Sequence, residues 1–120
     1  MEMNRNYTRV YVAGPLRGNW LKKKINIYRA KKTAEWLWKR GLAVFCPHMN
    51  SGFVDSFETD DFVLPANVDF MHSCDVLLVT GKWWKSQGTT WEIKRAYEHA
   101  MPIYFDKVVL YKDLLGDDVK

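Results

Sequence analysis

Apolar residues along this chain alternate between two rhythms, a short one of period two and a longer one at helical spacing. Thr8 to Ala13 alternates β-branched and aromatic residues, which predicts a first strand with Val10 and Val12 on one face and Tyr11 on the other. Gly14-Pro15-Leu16-Arg17-Gly18-Asn19 ends it as a turn. From Trp20 to Arg40 the spacing of Ile27, Ala30, Ala34 and Leu37 predicts a long helix, with Gly41 as its stop. Leu42 to Cys46 reads as a second strand. Pro47 to Gly52 and the acidic stretch to about Asp61 exceed an ordinary connection, which marks a functional loop or lid. Pro65 suits the first turn of a short helix running to about Ser73. Asp75 to Thr80 predicts a third strand, followed by a helix with Ile93, Ala96 and Ala100 on one face and a fourth strand from Pro102 to Phe105. The tail offers a short strand at Val108 to Leu110 and a helical turn at Tyr111 to Leu115.

Strands joined by helices require a parallel sheet with right-handed crossovers. The expected fold is therefore α/β, a Rossmann-like or flavodoxin-like three-layer sandwich of four to five parallel strands in the order 2-1-3-4(-5). Its switch point lies between strands 1 and 3, where such folds hold ligands. The loops leaving those two strands, Gly14 to Asn19 and Gly81 to Gly88, should then converge.

Both loops hold what a phosphorylated ligand needs. Gly14 and Gly18 permit close backbone approach and Arg17 offers a planar fork of donors, or the loop is an ordinary Gly-Pro turn with Arg17 as a surface charge. In the second loop, the Ser86 hydroxyl and the N–H groups of Gly88 and Thr89 sit near a helix N-terminus, which favours an anion. Glu92 follows, a carboxylate in the first turn of that helix. Thr89-Thr90-Trp91-Glu92 also matches a capping box, in which Thr89 caps the helix and Glu92 folds back on it without catalytic content. The sequence leaves both orientations open.

Composition narrows the class. A chain of 120 residues, 48% hydrophobic, supports one compact domain. Its N-terminus is polar, no apolar run is long enough to span a membrane, and the default compartment is the cytoplasm. Cys46 and Cys74 lie far apart and read as reduced, buried thiols, and His48, His72 and His99 lack metal-ligand spacing, so neither metal nor other cofactor is expected. The net charge of +4 comes largely from Lys22, Lys23, Lys24, Arg29, Lys31, Lys32, Lys39 and Arg40 on the first helix. These complement its apolar stripe, so a solvated surface explains them better than a nucleic-acid interface.

Ala13-Gly14-Pro15-Leu16-Arg17-Gly18, Asn26-x-x-Arg29-Ala30, Cys46-Pro47-His48-x-Asn50, Cys74-Asp75 and Trp83-x-x-Ser86-x-Gly88-x-x-x-Glu92 occur in this order. With these motifs the chain resembles the nucleoside 2-deoxyribosyltransferase-like superfamily across roughly residues 8 to 105, especially its small phage and bacterial members without assigned activity. It is also similar to the nucleoside 5'-monophosphate N-glycosidases of that superfamily.

The resemblance implies cleavage or transfer at the N-glycosidic bond of a nucleoside or its 5'-monophosphate, with Glu92 as nucleophile forming a glycosyl-enzyme intermediate. It places Tyr11 against sugar and nucleophile, and Ser86 on the 5'-phosphate, where transferases of free nucleosides carry an aspartate. Trp83, with Trp84, could stack on the base or instead cover the sheet edge. His48 and Asn50 would border the pocket. The resemblance also implies a homodimer or larger assembly. Two positions depart from the pattern. Asn67 stands where relatives carry an aspartate that helps the base leave, and an amide cannot act as a general acid. Asp69, the neighbouring candidate, falls about 200° round an ideal helix from it. Pro15 stands where monophosphate hydrolases carry a phosphate-binding serine. Three readings follow: a nucleotide N-glycosidase or transferase, a nucleotide-binding or sensing protein that has lost the reaction, and a basic interaction module working through the first helix.

Overall fold

A computed structural model describes residues 7–16, 18–50 and 60–115. Four strands, β1 (Arg9–Ala13), β2 (Ala43–Phe45), β3 (Val76–Val79) and β4 (Ile103–Tyr104), form one parallel sheet in the order β2-β1-β3-β4. Strand register puts Tyr11 beside both Phe45 and Leu77. The helices are α1 (Trp20–Trp38), α2 (Pro47–Asn50), α3 (Asp60–Met71), α4 (Gln87–Glu98) and α5 (Lys107–Leu115), with a 3-10 turn at Trp83–Lys85.

Parallel strands are covered on both faces, because their crossovers deposit helices there. Alternation along β1 divides the core accordingly. Val10 and Val12 join Ala30 and Leu37 of α1, Val76 and Leu78 of β3, and Leu110 and Tyr111 of α5 on one face. Tyr11 and Ala13 join Val68 and Met71 of α3, Leu77 and Val79 of β3, and Ala96 of α4 on the other. The result is the expected three-layer α/β sandwich.

Helix α1 begins where Asn19 accepts a hydrogen bond from Lys22 N, and it ends before Gly41, which adopts φ +84°. Its inner face buries Ala30, Thr33, Ala34 and Leu37, with Ile27 half-buried. Lys22, Lys24, Lys31 and Lys32 face solvent, two of them stacked over aromatic rings, Lys24 on Trp20 and Lys32 on Tyr28. Cys46 is buried, Cys74 half-buried, and the two form no disulfide.

Several elements differ from the sequence expectation. Val108 to Leu110 belongs to helix α5 rather than a fifth strand, because Asp106 Oδ1 accepts from Val108 N at 2.8 Å and Val109 N at 3.0 Å and so caps a helix there. Pro65 lies inside α3, which begins five residues earlier at Asp60 and ends at Met71. An interior proline costs about 3 kcal/mol in a helix, and burial of Val68 and Met71 offsets that here. Pro47 to Asn50 forms a helical turn rather than a loop. Residues 51–59 of the expected lid lie outside the described residues. Ala100 leaves the core face because α4 ends at Glu98, and Ala100 itself takes φ 56° in an exposed position.

The loops after β1 and β3 do converge. A Cβ built on Gly14 would stand 2.4 Å from Thr80 Oγ1 and 3.0 Å from Thr80 O, so only glycine fits there. Thr80 N and Thr80 Oγ1 both donate to Ala13 O, at 2.8 and 3.2 Å, which locks the two strand ends together. Gly14→Ala is expected to destabilise the protein by about 1–3 kcal/mol through overpacking. Adding Thr80→Ala should restore part of that loss, since the clash with Thr80 O remains; urea denaturation of the three proteins measures it.

Candidate functional site

At the carboxyl edge of the sheet, β1 supplies Tyr11 and the Gly14–Leu16 loop, β2 leads into His48, and the loop after β3 leads into α4. The first turn of α4 is organised by Ser86. Its hydroxyl accepts from Thr89 N at 3.1 Å and from Thr89 Oγ1 at 3.0 Å, so Ser86 is the N-cap. The capping box starting at Thr89 is therefore not formed. Thr89 is buried as the third helical residue, and Glu92 falls in the second turn rather than the first. With the helix begun three residues earlier, the Glu92 side chain is free of capping and turns toward the sheet.

There it meets Tyr11. Tyr11 Oη donates to Glu92 Oε2 at 2.5 Å, and Glu92 is only 5% exposed. The Tyr11 ring stacks on Phe45 at 5.6 Å between centroids, and Phe45 stacks on Phe70 at 4.7 Å. A carboxylate in these surroundings loses its hydration. Burial raises the Glu92 pKa from 4.5 to about 7, against the opposing pull of the Tyr11 hydrogen bond. Burial, followed by the nearby Glu92 charge, pushes the Tyr11 phenol well above its usual value of 10.0.

His48 is buried, and its Nε2 donates to Pro15 O at 2.8 Å. That bond fixes the tautomer and leaves Nδ1 facing Cys46 Sγ at 3.8 Å. Burial holds the imidazole pKa below its ordinary 6.5, so the ring is neutral at pH 7. His48 thus ties α2 to the loop after β1 and is a structural strut at the crevice rim. Neither sequence spacing nor composition signals this bond, because it spans 33 residues to a backbone carbonyl.

Asn67 is 6% exposed on the inner side of α3, whereas Asp69 faces solvent on the same helix. Trp83 packs among the core residues of the α3–α4 face and lies 5.5 Å from the Phe105 ring, as a cover for the sheet edge. Trp84 is 61% exposed and lines a shallow groove of 340 Å³ with Lys85, Trp91 and Lys94. Gly18, at φ 148°, is exposed at the far end of the first loop, and Gly88 lies in the opening turn of α4. Arg17 and the Asn50 side chain lie outside the described residues. Sequence reasoning did not single out Arg29 as a site residue, yet its guanidinium reaches the two loops.

The linkage of the Glu92 titration to folding has a definite sign. The folded pKa lies above the unfolded one, so the stabilising effect of the protonated form is complete below about pH 4.5 and is lost as pH rises through about 7. Glu92→Gln keeps an acceptor for Tyr11 without the charge. The variant is expected to be more stable than the parent by roughly 3 kcal/mol at pH 8, with the difference vanishing near pH 4. Urea melts at a series of pH values check this.

Residues 8–106 match a family described as a domain of unknown function (DUF7768), and the chain belongs to that family. No curated protein matches the chain.

Proposed function

We propose that this protein cleaves or transfers at the N-glycosidic bond of a (deoxy)ribonucleoside 5'-monophosphate, with Glu92 as nucleophile. The observation that carries the reading is the buried Glu92 carboxyl, held at 2.5 Å by the Tyr11 hydroxyl beside the switch point of the sheet. A carboxylate stripped of water and aimed by one fixed donor is suited to attack at an anomeric carbon, where positive charge develops as the base departs. The C–N bond breaks as the Glu92–C1' bond forms, and the base leaves with the electron pair. Water or a second base then resolves the glycosyl ester. Tyr11 holds the carboxyl in position and bears on the sugar side of the pocket. Ser86 and the first turn of α4 face the 5'-phosphate.

Asn67 favours a second reading, a nucleotide-binding protein without turnover. Its amide can hold a base by hydrogen bonds but supplies no proton to it. The two readings share a ligand and differ only in whether the glycosidic bond breaks. A cytoplasmic, homo-oligomeric protein of phage or bacterial origin fits both; among the described residues no helix is long and apolar enough to cross a membrane.

Incubation with a panel of ribo- and deoxyribonucleoside monophosphates and free nucleosides, with and without an acceptor base, followed by chromatography of free base, tests the proposal. Base release is expected from monophosphates, and Glu92→Gln should reduce it by roughly 10³-fold or more. Release that persists undiminished in the variant rejects Glu92 as nucleophile. Binding without release from any member leaves the non-catalytic reading.

The pH profile provides a separate check. The nucleophile must be ionised, so kcat/KM is expected to climb with pH up to about 7 and level off above it. A profile already flat from pH 5 to 8 contradicts the role of Glu92.

A further inference from the structure

Helix α1 sends Arg29 toward the crevice. Arg29 Nη1 donates to Asn26 Oδ1 at 3.2 Å, and Asn26 Nδ2 donates in turn to Leu16 O at 3.4 Å. A Cβ built on Gly81 would stand 2.7 Å from Arg29 Nη1 and 3.0 Å from Pro15 Cδ. The guanidinium tip therefore lies over Gly81, between the loop after β1 and the loop after β3. Gly81 has φ +69°, so the position requires glycine for its backbone, and the missing side chain is the space the guanidinium uses. The Arg29 charge also disfavours protonation of His48, which places cation and imidazole in the same corner.

Three other basic side chains of α1 and the turn after it are engaged differently. Lys24 and Lys32 lie over aromatic rings, Lys32 also approaches Glu35, and Arg40 stacks on Trp36 at 3.7 Å. Among the described residues no carboxylate pairs with Arg29, and only its Nη1 has a hydrogen-bond partner. A guanidinium carries five donors in a planar fork that matches phosphate oxygens two at a time. Here the fork is held in place by Asn26 with most of its donors unspent, at the switch point where ligands of such sheets bind.

We infer that Arg29 is the cationic anchor of a phosphomonoester dianion seated where the loops after β1 and β3 meet. This deepens the nucleotide reading and rests on it for the identity of the remaining ligand. Inorganic phosphate shares the anchored chemistry, so the two sources are separated by measurement.

Isothermal titration of the parent protein, Arg29→Gln and Arg29→Lys with inorganic phosphate, the four deoxyribonucleoside 5'-monophosphates and their free nucleosides tests the assignment. Arg29→Gln is expected to weaken phosphate and monophosphates by about 10- to 100-fold, and nucleosides by less than about twofold. Arg29→Lys, which keeps charge but not the fork, should fall between the two; it also carries the test should the glutamine variant unfold. Equal weakening of nucleosides and monophosphates makes Arg29 a structural clamp and overturns the inference. So does unchanged monophosphate binding in both variants, even where the parent releases base. Phosphate binding lost in Arg29→Gln, with no base release by the parent, upholds the anchor while removing the glycosidase reading.

Discussion

The hydrogen bond from Tyr11 to Glu92 is the constraint around which the carboxyl edge of the sheet is arranged. Burying a carboxyl, as at Glu92, is costly unless it is protonated or given a donor, and Tyr11 is the donor. That donor exists only because β1 alternates. Val10 and Val12 satisfy the α1–α5 face, which obliges Tyr11 to point to the α3–α4 face. One hydroxyl thereby sets the rotation of α4 relative to the central strand. The rotation of α4 then decides where its N-terminus opens. Ser86 and Thr89 complete the turn between them, and the 3-10 turn before it lays Trp83 against the sheet edge.

A second constraint comes from the touching backbones of Gly14 and Thr80. Parallel strands diverge at a switch point, and the crevice there is usually open. In this protein the two loops meet at Gly14, and beyond it Pro15 and the Arg29 guanidinium lie close against Gly81. The rim is held from below by His48 on Pro15 O and from the side by Asn26 on Leu16 O. Both bonds reach backbone carbonyls of the first loop. That loop contains Pro15, which has no N–H to give, and these two bonds hold it through its acceptors.

Much of this was legible in the sequence where a periodic pattern had a single solution. The division of β1 into two faces, the strand order and the meeting of the two loops all follow from alternation and chain connectivity. Boundaries were less legible where two residues compete for one role. Ser86 and Thr89 are both good caps, and the sequence pattern favoured the one three residues before a glutamate. In the folded protein the helix gains a turn by starting at Ser86, and Glu92 is then worth more against Tyr11 than at the helix end. Pro65 suggested a helix start, but Val68 and Met71 need a helix beneath them whose axis is set by the sheet. Val108 and Val109 have strand propensity, yet Asp106 and the adjacent burial of Leu110 and Tyr111 favour a helix. His48 and Asn26 reach carbonyls 33 and 10 residues away, and the place of the Arg29 tip, though it bonds Asn26 locally, depends on the absent side chain of Gly81, so no local pattern encodes the corner.

Among the described residues the α3–α4 face holds one buried carboxyl, Glu92, and that shapes the chemistry proposed for this crevice. Glycosyl transfer ordinarily divides the work between a nucleophile that must be ionised and an acid that must not be. Asn67 occupies the inner face of α3 as an amide, and Asp69 on the same helix faces water. Glu92, at a pKa of about 7, cannot serve both roles in one step, because attack requires the form that has already lost its proton. With no second buried carboxyl among the described residues, the proposed reaction would have a departing base take its proton from solvent or leave without one. This selects among substrates: a base whose anion is stable, or one already protonated or alkylated on its ring, leaves with little help, whereas an ordinary purine or pyrimidine pays the roughly 10² to 10⁴ in rate that a general acid would supply. Glycosidic reactivity of the ligand, rather than its fit alone, would then separate substrates from bound spectators in this site.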